Sequence, residues 1–308
     1  MFKNRRKVLL FVAVLAIIVA QVSVVWAKEE AAVQISVENL GEGLYMLADS
    51  GGMGNTTVLT GADGVLMIDT KIEASVGPLL ARIAELSTKP IRFAVITHWH
   101  FDHVGGNETV ARTGATIVAH ENVRKRMGMT HEMKVLGATV PPAPEIARPM
   151  LTFTKEIGFH MNGEDVRVFH VQPGHTDGDA VVYFPKANVI CTGDLYFEGL
   201  YPYIGIYSGG SINSMITVLQ QIIPMIDENT KIVPGHGPVS DKARLQQYVA
   251  MLTAVRDSVA RLLKEGKTME EAVAAKPTQA FDEKWGHGFL PPDKFAGLVY
   301  MDLSPQLP

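Results

Sequence analysis

Apolar positions along this chain switch between a period of two and a helical period. VQISVENLGEGLYMLADSG, from Val33, alternates and breaks at glycines, which predicts two short strands. NTTVLTGADGVLMIDTK sets a β-branched run and the apolar run VLMID on either side of Ala62-Asp63-Gly64, the pattern of a hairpin. Val76, Leu79, Leu80, Ile83 and Leu86 share one helical face, and IRFAVIT reads as a short buried strand. A helix, the strand TIVAH and a helix near Glu121 to Met127 follow. Met127 to Pro149 has no clean period and is rich in Met and Pro, so a long surface loop acting as a lid is expected there. Further strands are expected in KEIGFHM, EDVRVFHVQ, AVVYF and NVICTGD. A helix at Ser211 to Ile226, a strand at KIVPG, a long helix at Asp241 to Leu263 and a helix-like stretch at Thr268 to Ala275 complete the series. Strands and helices alternate in two similar halves, which predicts an α/β layered fold with mixed sheets. Residues 28–308 are read as a single catalytic domain with a helical extension from about 265.

The first residues follow a different rule. MFKNRRK is basic, Val8 to Ala20 is uninterruptedly apolar, and Val25-Trp26-Ala27 offers small residues where a signal peptidase cuts. Residues 1–27 are therefore expected to be a signal peptide, with an uncleaved membrane anchor as the alternative. Either way the catalytic part is expected outside the cytoplasm, periplasmic or secreted, with the membrane as a partner only if the segment stays attached.

Bulk composition adds exclusions. The 308 residues are 47% hydrophobic and 19% charged, enough for a sizeable core. A net charge of −4 and the lack of a long basic run beyond the N-terminus argue against a nucleic-acid partner and leave a small-molecule substrate, anionic ones included, open. Cys191 is the only cysteine, so neither an intramolecular disulfide nor a cysteine-rich zinc knuckle is available. It is read as a core residue. Any metal site must be built from histidine and carboxylate.

THWHFDHVGGN supplies such residues where the strand IRFAVIT ends. Of ten histidines in the chain, His98, His100 and His103 fall within six residues, with Asp102 among them. In an extended turn His98 and His100 point to the same side and can share a metal, while Asp102 and His103 reach a second. Three later positions have the same character, each at an expected strand end and each just after a glycine: His175 in PGHTDGD, Asp194 in CTGDLYF and His236 in PGHGP. Taken singly they also read as a capped turn, a helix N-cap and a surface turn. His120, His131, His160, His170 and His287 lack ligand spacing and are expected to be structural or exposed, His160 and His170 as satisfied core histidines in strands.

Together these motifs resemble the metallo-β-lactamase superfamily of metallohydrolases, from about Val33 to about Val239. The resemblance implies a four-layer αββα sandwich with a dinuclear site at the sheet edges. It implies that His98, His100 and His175 hold one metal, that Asp102, His103 and His236 hold the other, and that Asp194 bridges them. Asp69 in LMIDT matches the family's first motif and is read as orienting the ligand loop, with a strand-end turn aspartate as the alternative. The implied cofactors are two Zn²⁺, with Fe or Mn compatible with the same ligands. The implied reaction is hydrolysis of a carbonyl substrate by a hydroxide shared between the metals, with Asp102 as the catalytic carboxylate that orients it.

Departures from the family narrow the substrate. The best-known lactamases of two subclasses carry a cysteine at the third motif, often closely followed by a substrate-binding lysine. Here the position is Asp194, followed by Leu195-Tyr196-Phe197. The bridging aspartate resembles the glyoxalase II, lactonase and phosphodiesterase branches, yet the tail from Gly266 shows only scattered lysines for holding glutathione. A β-lactam, lactone or ester is the favoured substrate. A glyoxalase II-like thioesterase, a phosphodiesterase and a di-iron redox or metal-binding protein are the alternatives. Tyr196, Phe197, Tyr201 and Tyr203, with Met127, Met129 and Met133 of the expected lid, favour a partly hydrophobic substrate, or else serve only packing.

Overall fold

Strands β1 (Ile35–Gly41) and β2 (Leu44–Asp49) form the first hairpin, and β3 (Thr56–Leu59) and β4 (Val65–Ile68) the second. The computed structural model describes residues 33–133 and 138–304, so the expected leader at 1–27 lies outside the described residues. From Gln34 onward the chain forms one compact unit. After β4 come helix α1 (Glu73–Leu86), β5 (Ile91–Ile96), the short helices α2 (Phe101–Val104) and α3 (Asn107–Arg112), β6 (Thr116–His120) and α4 (Glu121–Met127). The second half runs through β9 (Leu151–Phe153), β10 (Glu156–Met161), β11 (Glu164–His170), β12 (Ala180–Phe184) and β13 (Val189–Phe197). It continues with α5 (Ile212–Ile222), β14 (Lys231–His236) and α6 (Lys242–Lys264), and closes with α7 (Met269–Ala274), α8 (Asp282–Trp285) and α9 (Pro292–Leu303).

Two mixed sheets result. The first has the order β1-β2-β3-β4-β5-β6-β9, antiparallel as far as β4 and parallel beyond it. The second has the order β10-β11-β12-β13-β14, with only the last pair parallel. Their facing sides share one core: Leu66, Ile68 and Val95 from the first sheet pack with Val166, Val182 and Cys191 from the second. The alternate residues of the same strands turn outward and are also buried, as with Val65, Met67, Ala94 and Ile96. Burial on both faces explains why these central strands read as continuous apolar runs. On the outer face of the second sheet, Leu195, Tyr196 and Ile232 pack against Met215 and Leu219 of α5, Tyr248 and Leu252 of α6, and Phe295 and Leu298 of α9. The expected αββα layering is the observed one.

The segment Met127 to Pro149 departs from expectation. Met127 is buried at the end of α4, and the chain then forms a small antiparallel pair, β7 (His131–Met133) with β8 (Ala138–Val140), and a 3₁₀ turn at Glu145–Ala147. Strands of three residues are too short for a period of two to show in sequence.

Candidate metal centre

His98 and His100 follow β5 in extended backbone, and α2 then carries Asp102 and His103. The loop is tied down at its base. The amide of Thr70 donates to the carbonyl of His103 at 2.8 Å, and the amide of Gly106 to that of Lys71 at 3.1 Å. His175 sits between β11 and β12, and Asp194 and His236 lie within β13 and β14. The β13–β14 ladder slips register between Cys191 and Phe197, where Asp194 emerges. Such irregularities re-aim side chains toward sites.

All seven residues converge. The ligand atoms of His98, His100, His175 and Asp194 lie within 4.8 Å of one another, and those of Asp102, His103 and His236 form a second such group. Asp194 touches both: its Oδ2 is 3.6 Å from His98 Nε2, 3.4 Å from His175 Nε2 and 3.5 Å from His236 Nε2, while Oδ1 is 3.1 Å from His103 Nε2. Asp102 Oδ2 lies 3.1 Å from His236 Nε2.

The far nitrogen of four imidazoles is already engaged. His103 Nδ1 is 2.8 Å from Asp69 Oδ2, His175 Nδ1 2.8 Å from the Tyr203 carbonyl, and His236 Nδ1 3.0 Å from the Gly52 carbonyl. Each acceptor can only receive, so each Nδ1 donates and Nε2 is the nitrogen turned toward the group. His98 Nδ1 meets Thr97 Oγ1 at 3.1 Å, and that hydroxyl gives its own proton to Asp69 Oδ2 at 2.7 Å. This is the arrangement by which outer hydrogen bonds fix metal-ligating histidines. The buried atoms His98 Nε2, His103 Nε2 and Asp194 Oδ1 have no hydrogen-bond partner. His103 Nε2 and Asp194 Oδ1 thus face each other 3.1 Å apart without a hydrogen bond, where a bound cation would satisfy both. The donor set fits divalent metals of the zinc class.

Charge in the protein alone is divided accordingly. Burial opposes ionisation of Asp102, but His103 and His236 hold its carboxyl down at about 2. Burial likewise works against a charged His236, and Asp194 and Asp102 override it, raising the imidazole to about 10. His98 and His100 are pushed well below the ordinary imidazole range by burial and by neighbouring histidines. Two glycines make room. A Cβ on Gly235 would lie 1.9 Å from Asp194 Oδ1, and one on Gly54 would lie 2.5 Å from His103 Nε2.

A sequence profile described as "Metallo-beta-lactamase superfamily" matches residues 49–245. The chain belongs to that superfamily. Metallo-beta-lactamase type 2 of Bacillus cereus is 23% identical over 199 residues, 64% of this chain and 72% of that protein. Hydroxyacylglutathione hydrolase of Pelagibacter ubique is 30% identical over 148 residues, 47% of this chain and 52% of that enzyme, so the chain spans about half its length. The solved metallo-beta-lactamase from Pontibacter korlensis superposes with a TM-score of 0.58 at 22% identity, covering 71% of this chain and 99% of that one, a likeness of fold.

The superfamily centre opens into a cavity of about 460 Å³ with Asp102, Asp194 and His236 on its surface. Its walls come from the Gly51–Met53 loop, Phe101, Leu200, Tyr203 and the tail residues His287–Phe289. No residue between Met127 and Pro149 lines it among the described residues; Met127 and Met129 line a separate cavity beyond Trp99 and Phe101. Among the described residues of that segment, His131 and Glu132 meet Trp99, His100 and Tyr203 in a small neighbouring pocket. Of the four aromatics after Asp194, only Tyr203 reaches the cavity, while Tyr196, Phe197 and Tyr201 are fully buried. His287 is exposed, as one arm of the expectation had it, and stands in the cavity wall. None of the other four histidines without ligand spacing joins a ligand group among the described residues. His160 is exposed beside Asp165 rather than in the core, and His120 stacks on His170 at 3.7 Å. Cys191 is buried as expected.

Proposed function

We propose that this superfamily member hydrolyses a carbonyl substrate, a β-lactam, lactone or ester, at a dinuclear zinc centre held by His98, His100 and His175 on one side and Asp102, His103 and His236 on the other, with Asp194 shared. The observation that carries the reading is the pair of ligand groups meeting at Asp194 on the surface of an open cavity. Two such ions, when bound, polarise a carbonyl and lower the pKa of water from about 15.7 to roughly 7.

The chain's own groups supply positioning and proton handling. Asp69 and Thr97 hold the ligand loop, so the histidines need no rearrangement when substrate arrives. Asp102 is ionised at neutral pH and reaches the cavity, so it can orient a water through one carboxylate oxygen and take its proton. A covalent cysteine route is disfavoured, because burial pushes the Cys191 thiol up to about 12. The apolar N-terminal run supports action outside the cytoplasm as part of the same reading.

Thioester hydrolysis is the second reading, favoured by the 30% identity to hydroxyacylglutathione hydrolase. Phosphodiester cleavage gains little support, since the cavity lining includes neither lysine nor arginine among the described residues. The test is a panel of chromogenic cephalosporin, lactone, aryl ester, thioester and phosphodiester with the zinc-loaded protein. Turnover of a lactam, lactone or ester that disappears with chelator and in Asp102→Ala is expected. Two metals bound per chain with none of the panel turned over would overturn it, and iron as the tight metal would favour redox chemistry.

A further inference from the structure

Beyond the profile-matched span, the tail contributes His287, Gly288 and Phe289 to the wall of the metal cavity. This wall is held firmly from both sides. Trp285 and Leu290, which flank it, are buried. The amide of Tyr201 donates to the Trp285 carbonyl at 3.0 Å, the Tyr201 hydroxyl donates to the Thr278 carbonyl at 3.2 Å and contacts Asp282 Oδ1 at 2.9 Å, and the Tyr201 ring stacks on Phe295 at 4.6 Å. Gly288 packs so closely on Leu200 that a Cβ there would sit 2.8 Å from Leu200 Cδ2.

Between these anchors the Phe289 ring is not buried. It lies 6.1 Å from the His236 ring and 6.2 Å from that of Phe197, yet Phe289 keeps 54% of its surface exposed. Phe101, on the same cavity, keeps 43%. Two phenylalanines left open to water around one cavity, on firmly held backbone, mark a surface that an apolar ligand covers. Met53 and Leu200 extend it. Among the described residues the titratable groups of the lining are Asp102, Asp194 and histidines at the metal end and His287, and the apolar end has neither lysine nor arginine to receive a carboxylate.

We infer that Phe289 is a specificity-determining residue and that, with Leu200, Met53 and Phe101, it selects an uncharged apolar acyl chain on the substrate. The inference rests on the metallohydrolase reading for the position of the reacting carbonyl. Within that reading it favours apolar esters and lactones over β-lactams, which carry a carboxylate.

Equilibrium binding of hydroxamates, which grip metal centres without being turned over, tests this independently of activity. The zinc-loaded protein would be titrated calorimetrically with acetohydroxamate, octanohydroxamate and suberate monohydroxamate, the last bearing a terminal carboxylate. Octanohydroxamate is expected to bind at least about tenfold more tightly than acetohydroxamate, about 1.4 kcal/mol, and the terminal carboxylate to remove that advantage. Phe289→Ala is expected to collapse the octano-to-aceto ratio toward one, and Phe289→Leu to restore most of it. A ratio near one in the unaltered protein, or a ratio unmoved by Phe289→Ala, overturns the inference. If all three hydroxamates fail to bind while zinc is present, the dinuclear reading itself has failed.

Discussion

Asp69 Oδ2 lies 2.8 Å from His103 Nδ1, and this contact decides which nitrogen His103 turns toward Asp194 and Asp102. The same carboxylate accepts the Thr97 amide at 2.7 Å through Oδ1 and the Thr97 hydroxyl at 2.7 Å through Oδ2. Asp69 adopts φ +61, a backbone conformation that aspartate tolerates better than most residues. Asp69→Asn keeps the shape but removes the charge that holds His103 in one tautomer. Metal affinity of the group containing His103 is expected to fall roughly 10–100-fold. Competition with a chromophoric chelator measures it, and an unchanged affinity would remove Asp69 from the machinery.

Asp194 and Asp102 are both carboxylates of the centre, yet their loss has different consequences. Asp194 contacts histidines of both groups, whereas Asp102 belongs to one. Asp194→Ala is expected to leave fewer than one tightly held metal per chain, because both groups lose a ligand and four imidazoles lose their counter-charge. Asp102→Ala is expected to keep about one, in the group of His98, His100 and His175. Elemental analysis after gel filtration distinguishes these results. Equal stoichiometry in the two variants would mean that Asp194 is not shared.

Much of this was legible before any coordinates, for reasons specific to particular residues. The strand VLMI throughout, and IRFAVI over its last three residues, are buried on both faces, so their apolar runs were unambiguous. The seven ligand candidates carried a spacing signal or followed a glycine at a strand end, and they do converge. The cavity walls carried no such signal. His287 and Phe289 stand in a stretch with neither helical nor strand period, and they reach the site through the anchoring of Tyr201 to Trp285 and Asp282, more than seventy residues away. A long-range contact of that kind leaves no trace in local pattern. The helix Pro292–Leu303 was legible and not expected: Pro292 at its first position is a helix-start signal, and Phe295, Leu298 and Val299 share one buried face.

Cys191 offers a check on the core between the sheets. It is buried, its thiol donates to Thr57 Oγ1 at 3.3 Å, and burial pushes it up to about 12. A disulfide reagent at pH 8 is expected to leave the folded protein unlabelled and to modify one thiol per chain only in denaturant. Cys191→Ala is expected to retain both metals and to cost about 1 kcal/mol of stability for the small void it leaves. Rapid labelling of the native protein would show that the strand carrying Cys191 opens locally.

Lys71 is fully buried beneath the loop that borders the cavity, and its Nζ donates to the Gly54 carbonyl at 2.7 Å. Burial lowers its pKa from 10.5 to about 8, even though Asp49, Asp69 and Asp102 favour its charge. The unfolded chain therefore holds a proton that the folded chain releases, between pH 8 and 10.5. Stability must rise with pH through that window: the penalty is fully present below pH 8 and gone above 10.5. Its size is at most about 3 kcal/mol. Lys71→Met has no such proton, so the unfolding free energy of the unaltered protein relative to Lys71→Met is expected to climb between pH 7 and pH 10. Denaturant titrations of both proteins at pH 7, 8, 9 and 10, with chelator present throughout so that metal does not contribute, measure the difference. A flat difference would mean that Lys71 stays charged in the fold, held by its three carboxylate neighbours against burial. The loop it anchors includes Gly54, which abuts His103, so Lys71→Met is also expected to raise KM more than it lowers kcat.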